Sequence, residues 1–398
     1  MNIALVLDSF DPGRGGVEQW TAQFARQLLS RGHEVHIVAE SCTNDVATNR
    51  ESTIRFHQIP TTKNRVDRAD AAADLLRTVD QQIGLDVIHD MGLGWYCDVL
   101  QPHGGSRKAA ERRNLELAPK WIRPAKRGLS SLLPRYRDFN ALNEKQYGSK
   151  TNDRGQSRII ALSKRVKAEL INDYDVDARR IDLIYNGVDT QRFSPALRVS
   201  QGARWRTRLL ADDDDCLFLI VAHNLQLKGL PTLIRALARI APASPQAKVV
   251  VAGGKRTEPY RRLAESLGVI DRVQFLGPVD DAAPLYAAAD VYVQPTFYDP
   301  CSLVVLEALA AGVPAITTAR NGVAELISSS IDGYVVDDPG DDRVLAERMR
   351  ELLNADRRAA MGRKARQLAQ RHTFARNVTE MLALYARVTK NRHRRAVA

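Results

Sequence analysis

Short apolar runs recur along this chain, and the stretches between them carry helical spacing. In the first half the runs are Ile3–Leu7, His33–Ala39, Val87–His89 and Arg158–Leu162. In the second half they are Leu217–Ala222, Lys248–Ala252, Val273–Leu276, Val291–Gln294, Ala315–Thr317 and Gly333–Val336. Runs so short and so apolar predict strands buried on both faces, the pattern of parallel sheets covered by helices. Val17–Leu29, closed by Gly32, and Pro231–Ile240 have the spacing of two covering helices. The rhythm occurs twice, so the fold class is α/β with two doubly wound, Rossmann-like domains, changing over near Asn186–Pro195. A chain of 398 residues is long for one domain and comfortable for two. Ligands in such sheets bind beyond the carboxyl ends of strands, which singles out the loops after Leu7, Leu100, Ala222, Val251 and Gln294.

Composition narrows the classes. With 44% hydrophobic and 26% charged residues the chain is an ordinary globular protein. Cys42, Cys97, Cys216 and Cys301 form no CxxC pair, which argues against a zinc site or a disulfide framework and fits a reducing compartment. The apolar start Ile3–Leu7 is too short for a signal peptide, and no apolar stretch is long enough for a membrane span. The expected location is cytoplasmic, peripheral on the membrane. A formal charge of +11 predicts an anionic partner. The run Asp212–Asp215 lacks the spacing of a ligand set and is expected to be a solvated loop, so no metal is expected.

The segment from Asp299 to Pro314 carries the most chemistry. Pro300 suits a helix start, and Leu303 to Ala311 is a good helical run ended by Gly312 and Pro314. The first N–H groups of such a helix, at Leu303 and Val304, are open to an anion such as a diphosphate. Asp299 and Glu307 stand on either side, suited to accept hydrogen bonds from hydroxyl groups. Taken alone, the same segment is a core helix with an Asp cap and one exposed Glu.

Other pieces are Gly15-Gly16-Val17-Glu18, His103-Gly104, Asn186-Gly187-Val188-Asp189, Lys228-Gly229, Ala252-Gly253-Gly254 and Phe275-Leu276-Gly277. In that order, at those strand ends, the chain resembles the family-4, group 1, retaining glycosyltransferases of the GT-B fold. Within them it looks most like the lipopolysaccharide core glucosyltransferases, on Ala222-His223-Asn224, Leu227-Lys228-Gly229 and Arg135-Tyr136-Arg137. The resemblance implies two domains facing a cleft: an acceptor-binding domain over 1–185 with a basic insertion at 103–147, and a nucleotide-sugar domain over 186–370. A helix within 371–390 would cross back to the first domain.

The resemblance also implies roles. Lys228 would pair with the donor diphosphate, Glu307 would hold the ribose hydroxyls, and Asp299 would touch the donor sugar, where the family usually has Glu. His103 would meet the sugar from the first domain. Gly15, Gly16 and Gly253 would let backbone approach the donor, and Leu276 would frame the base. His223 stands where many members have Arg, and a neutral imidazole is the weaker anion partner. Catalysis would need no metal and no cofactor beyond the nucleotide-sugar substrate. The resemblance further implies that the leaving phosphate oxygen takes the acceptor proton on the same face; a double displacement would instead need a carboxylate below the sugar, for which Asp299 is the nearby candidate.

The insertion holds ten Lys/Arg between His103 and Asp138 against three acids. Trp121, Arg123, Lys126, Arg127, Arg135 and Arg137 are its membrane or acceptor candidates. Basic residues beside the apolar Leu129, Leu132 and Leu133 suit an anionic lipid surface. A solvated helical excursion packed on the first domain is the structural alternative, and no nucleic-acid motif accompanies the charge. The expected activity is transfer of a hexose, glucose by preference, from a uridine diphosphate donor to a lipid-linked saccharide such as lipopolysaccharide core. Rivals are another glycan or phospholipid glycosyltransferase, a sugar-nucleotide epimerase of the same fold and a non-catalytic membrane-binding scaffold.

Overall fold

The computed structural model describes residues 1–13, 15–43, 54–119, 121–125, 128, 133–148 and 154–397. Contacts divide the chain into two units, Met1–Ile184 with Val378–Ala398, and Tyr185–Asn377.

The strands of the N-terminal unit are β1 (Asn2–Val6), β2 (Ser9–Phe10), β3 (Glu34–Ala39), β4 (Ser41–Cys42), β5 (Ile54–Gln58), β6 (Val87–Asp90), β7 (Val99–Leu100), β8 (Arg158–Ala161) and β9 (Ile181–Leu183). Seven form one sheet in the order β5-β3-β1-β6-β7-β8-β9, every pair parallel. β2 and β4 pair separately. The predicted runs become β1, β3, β6 and β8 to within one residue at either end. β5 and β9 were not predicted, and β7 only by its carboxyl end at Leu100. β5 lies at the sheet edge, partly exposed, and its Ile-Arg-Phe-His-Gln sequence is no apolar run; β7 is two residues long.

The C-terminal unit contains β10 (Cys216–Val221), β11 (Ala247–Ala252), β12 (Val273–Gly277), β13 (Val291–Gln294), β14 (Ala315–Thr318) and β15 (Gly333–Val336). Their order is β12-β11-β10-β13-β14-β15, again all parallel. The two α/β units therefore share one pattern: the chain starts mid-sheet, winds outward, then returns to the other side. The order reverses between β1 and β6 in one unit and between β10 and β13 in the other. That reversal leaves a crevice at the carboxyl ends, where such sheets take ligands.

The cores explain why these runs are strands. Phe218, Ile220, Val249, Val251, Val291 and Val293 are buried against Leu233, Ile234, Leu237 and Ile240 of the Leu230–Ile240 helix. Truncating one such leucine to alanine costs about 2–5 kcal/mol. The N-terminal core packs Val6, Val38, Ile88 and Ile159 against Leu76, Val79 and Leu170. The last helix, Phe374–Val397, joins this unit from Val378 onward, where the Tyr385 hydroxyl meets His89 Nδ1 at 2.6 Å.

The acidic run departs from expectation at its end. Asp212 to Asp214 are exposed, but Asp215 is buried and pairs with Lys248 at 2.6 Å. No cluster of potential metal ligands occurs among the described residues. No described helix is long and apolar enough to cross a membrane.

Candidate functional site

In the C-terminal unit the site grows from the two strands that flank the order reversal. β10 ends at Val221, and the loop after it carries His223, Asn224 and Lys228. β13 ends at Gln294, and the segment after it carries Asp299 and leads into the Leu303–Ala310 helix. Backbone bonds tie these loops together: Phe297 N–H donates to the Leu227 carbonyl at 2.9 Å, and the Thr296 hydroxyl to the same oxygen at 3.2 Å. Gly229 makes that approach possible. Its φ is +83°, and a Cβ there would sit 2.0 Å from the Pro295 carbonyl oxygen. Only glycine fits, so the residue after Lys228 is fixed by the contact that positions Lys228.

Lys228 Nζ lies 2.6 Å from Asp299 Oδ2 and 3.3 Å from the Tyr298 carbonyl. The carboxylate is 8% exposed and the lysine half-buried. The two residues singled out from sequence as separate contacts thus form one ion pair, from opposite sides of the crevice.

The helical run begins at Leu303 as predicted, but Pro300 does not start it. Pro300 is not its first turn; Ser302 is the cap residue, and helical conformation starts at Leu303. A residue before proline is kept out of the helical region, which holds Asp299 extended. Asp299 then pairs like a strand with the 320–322 segment: its N–H donates to the Arg320 carbonyl, and its carbonyl accepts from Gly322. Asn321 Oδ1 accepts from Ser302 N–H at 3.2 Å. So Asp299 is not the cap; its side chain faces Lys228. Leu303 and Val304, half-buried, open the helix with N–H groups that lack partners within it.

Glu307 lies on this helix and accepts a hydrogen bond from the Tyr286 hydroxyl at 2.9 Å. It is not the exposed Glu of the plain core-helix alternative. Burial pushes its carboxyl up to about 7, against the Tyr286 hydrogen bond and the Arg192 charge. Tyr286 was missed in the sequence, where a tyrosine in an alanine-rich stretch carries no signal. Gly253 follows β11 with φ +90°; a Cβ would lie 2.3 Å from the Ala222 carbonyl oxygen. Its N–H donates to Gly277, and Leu276 stands beside that acceptor on β12. His223 is exposed at the end of β10. Asn186 donates to the Cys301 carbonyl at 2.7 Å, a structural tether for the Asp299 segment.

The N-terminal unit has its own cavity of about 370 Å³ at the carboxyl ends of β1 and β6. His103 lines it with Val17, Glu18, Met91, Gly92 and Asn143, among others. His103 Nε2 is buried and has no hydrogen-bond partner among the described residues, and burial lowers its proton affinity to about 4, so the ring is neutral at pH 7. Its ring meets Trp20 edge-on at 5.0 Å. Gly15 and Gly16 open the Gly16–Leu29 helix; Gly15 has φ 175°, extended backbone that any residue adopts, so its backbone angle does not by itself require glycine. Below the cavity floor Asp90 accepts from the N–H groups of Gly92, Leu93 and Gly94, and burial pushes it up to about 7.

The basic insertion is less free than its charge count implies. Arg112 forks onto Asp173 at 2.8 and 2.9 Å, Lys108 donates to the Asp173 carbonyl, and Arg113 pairs with Glu116. Arg123, expected at a membrane or acceptor, donates to the carbonyls of Glu116 and Ala118 and so closes the Arg107–Glu116 helix. Trp121 is 82% exposed and Arg137 is exposed. Lys126 and Arg127, and Leu129 and Leu132 of the apolar stripe, lie outside the described residues, as does the side chain of Arg135.

Comparison with known proteins then adds family and fold. Residues 14–192 match the Glycosyltransferase Family 4 model, and residues 202–368 the Glycosyl transferases group 1 model. A D-inositol 3-phosphate glycosyltransferase of Salinispora tropica is 34% identical over 57% of this chain and 50% of its own length. The match thus spans about half of that relative. One of the same name from Xylanimonas cellulosilytica is 28% identical over 95% of this chain and 93% of its own. Among solved structures, WaaG, a glycosyltransferase involved in lipopolysaccharide biosynthesis, superposes with a TM-score of 0.78 at 22% identity, over 95% of this chain and 98% of its own.

Proposed function

This chain is a group 1 glycosyltransferase of the GT-B fold by its two domains, and from that premise we propose that it moves a hexose from a nucleotide-sugar donor, with retention, to a phosphorylated or lipid-linked saccharide or polyol. The observation that carries the donor half is the Lys228–Asp299 pair at 2.6 Å, delivered by the loops after β10 and β13. A diphosphate at the Leu303–Ala310 helix start would take Lys228 as its counter-ion and the open N–H groups as donors. As the glycosidic bond breaks, charge grows on the phosphoryl oxygen, and a fixed ammonium favours that state over the ground state. Asp299, released from Lys228, accepts from sugar hydroxyls. Glu307 accepts from the ribose hydroxyls, held in place by Tyr286. The leaving phosphate oxygen takes the acceptor proton. Uridine diphosphate glucose is the donor we favour.

The acceptor has two supports. Two of the relatives are named D-inositol 3-phosphate glycosyltransferases, and WaaG, alike in fold, is involved in lipopolysaccharide biosynthesis. We favour a lipid-linked saccharide of the lipopolysaccharide core type, met at the cytoplasmic face of a membrane, with the exposed Trp121 and Arg137 toward the lipid. The test is a nucleotide-sugar panel against delipidated core saccharide and inositol phosphate, scoring released nucleotide and transferred sugar. Transfer from one donor, lost in Lys228→Ala and Glu307→Ala, is the expected result. Donor consumption without acceptor would favour an epimerase. Absence of uridine diphosphate binding by calorimetry would favour a scaffold.

A further inference from the structure

Two arginines open two different helices beside the same cavity. Arg65 is the first residue of the Arg65–Ile83 helix, and Arg107 the first of Arg107–Glu116. Helix starts carry partial positive charge, so a cation belongs at the other end. Both guanidinium groups lie on one ring: Arg107 Cζ is 3.3 Å and Arg65 Cζ 4.9 Å from the Phe139 centroid. Burial first, then the Arg65 charge, lower the proton affinity of Arg107, and Glu111 offers the smaller opposing pull. Among the described residues neither arginine has an ion pair with a carboxylate. Their neighbours do: Arg68 pairs with Asp8 and Glu40, and Arg112 with Asp173. Arg65 and Arg107 both line the cavity with Asn114 and Asn143, and with the carboxylates of Asp8, Glu18 and Glu111. A dianion between the two forks would relieve the mutual repulsion and answer both helix starts at once, since guanidinium matches phosphate geometry.

We infer that Arg65 and Arg107, stacked on Phe139, form a binding site for a phosphomonoester group carried by the acceptor. Glu18, in the same lining, is then placed for hydroxyls of the ring that bears it. The inference deepens the proposed function by naming the acceptor's chemistry, and rests on that reading only for calling the occupant an acceptor. The shared chemistry is the phosphate ester, whether on a soluble sugar or a lipid headgroup.

The test is calorimetry on the full chain with glucose 6-phosphate, glucose and inorganic phosphate, alongside sedimentation with phosphatidylcholine vesicles with and without phosphatidic acid. Glucose 6-phosphate should bind and glucose should not. Arg65→Gln and Arg107→Gln should each weaken the phosphate ester by about tenfold or more, the worth of one charge-assisted contact. Arg107→Lys should restore part of it. If only phosphatidic acid vesicles bind, and both variants release them, the phosphate is a lipid's and the site stands. Equal binding of glucose and glucose 6-phosphate, or phosphate binding untouched by both variants, would overturn the site. Uridine diphosphate titrated into the same samples reads the donor half separately: binding kept while the phosphate arms fail removes only this inference, and its loss in wild type removes the transferase reading.

Discussion

The two units share one strand order and treat their charges in opposite ways. In the C-terminal unit Lys228 and Asp299 neutralise each other and Glu307 has Tyr286. At the N-terminal cavity Arg65 and Arg107 share the Phe139 ring, and among the described residues His103 Nε2 has no hydrogen-bond partner. The first arrangement holds a switchable pair that a competing anion must part. The second stores unmet polar demand in a shape kept open by packing. Affinity in the first case is a contest of partners; in the second it is a matter of whether the right group arrives.

The contrast can be broken by substitution. Lys228→Ala should have the largest effect, a fall in kcat of about 10²–10³, measured by single-turnover transfer. It also strands a buried Asp299, so the melting temperature should drop as well. Gly229→Ala should come next. It keeps Lys228 but drives a methyl into the Pro295 carbonyl, at a backbone cost of about 1–3 kcal/mol; nucleotide affinity should fall together with stability. If activity survives with a normal melting curve, the loop is not the rigid support described above.

Tyr385→Phe tests the other unit. It removes the 2.6 Å bond to His89 and should cost about 1–3 kcal/mol of stability, read by denaturant unfolding, with uridine diphosphate affinity unchanged. The smallest effect is in pH. Burial raises Glu307 to about 7, so the folded protein binds a proton that the unfolded chain releases near 4.5. Stability from this group therefore falls as pH rises from about 4.5 to 7. Uridine affinity should move the other way, rising through pH 7 as the carboxylate gains its second acceptor. Glu307→Gln should flatten that difference; an unchanged profile would exclude Glu307 from ribose binding.

Much of the architecture was legible because parallel strands buried on both faces must be short and apolar. Lys228, Asp299 and Glu307 were legible for a related reason: each sits at a strand end or helix turn that the pattern locates. What the pattern hid was tertiary. Pro300 keeps Asp299 extended, but nothing near it tells that Arg320 and Gly322 pair with Asp299. Arg123 reads as a surface cation until the helix end it closes is in place. Arg65, Arg107 and Phe139 lie on three helices, and only the fold brings them to one ring.

One feature of the N-terminal unit bears on how the protein is made. His89 and its partner Tyr385 are 296 positions apart, so this unit is complete only once residue 385 has emerged. The unit from Tyr185 to Asn377 is continuous and can assemble first. The usual order, N-terminal domain before C-terminal, is therefore reversed for the finishing step: on the ribosome the early sheet waits, partly covered, for the last helix to close it.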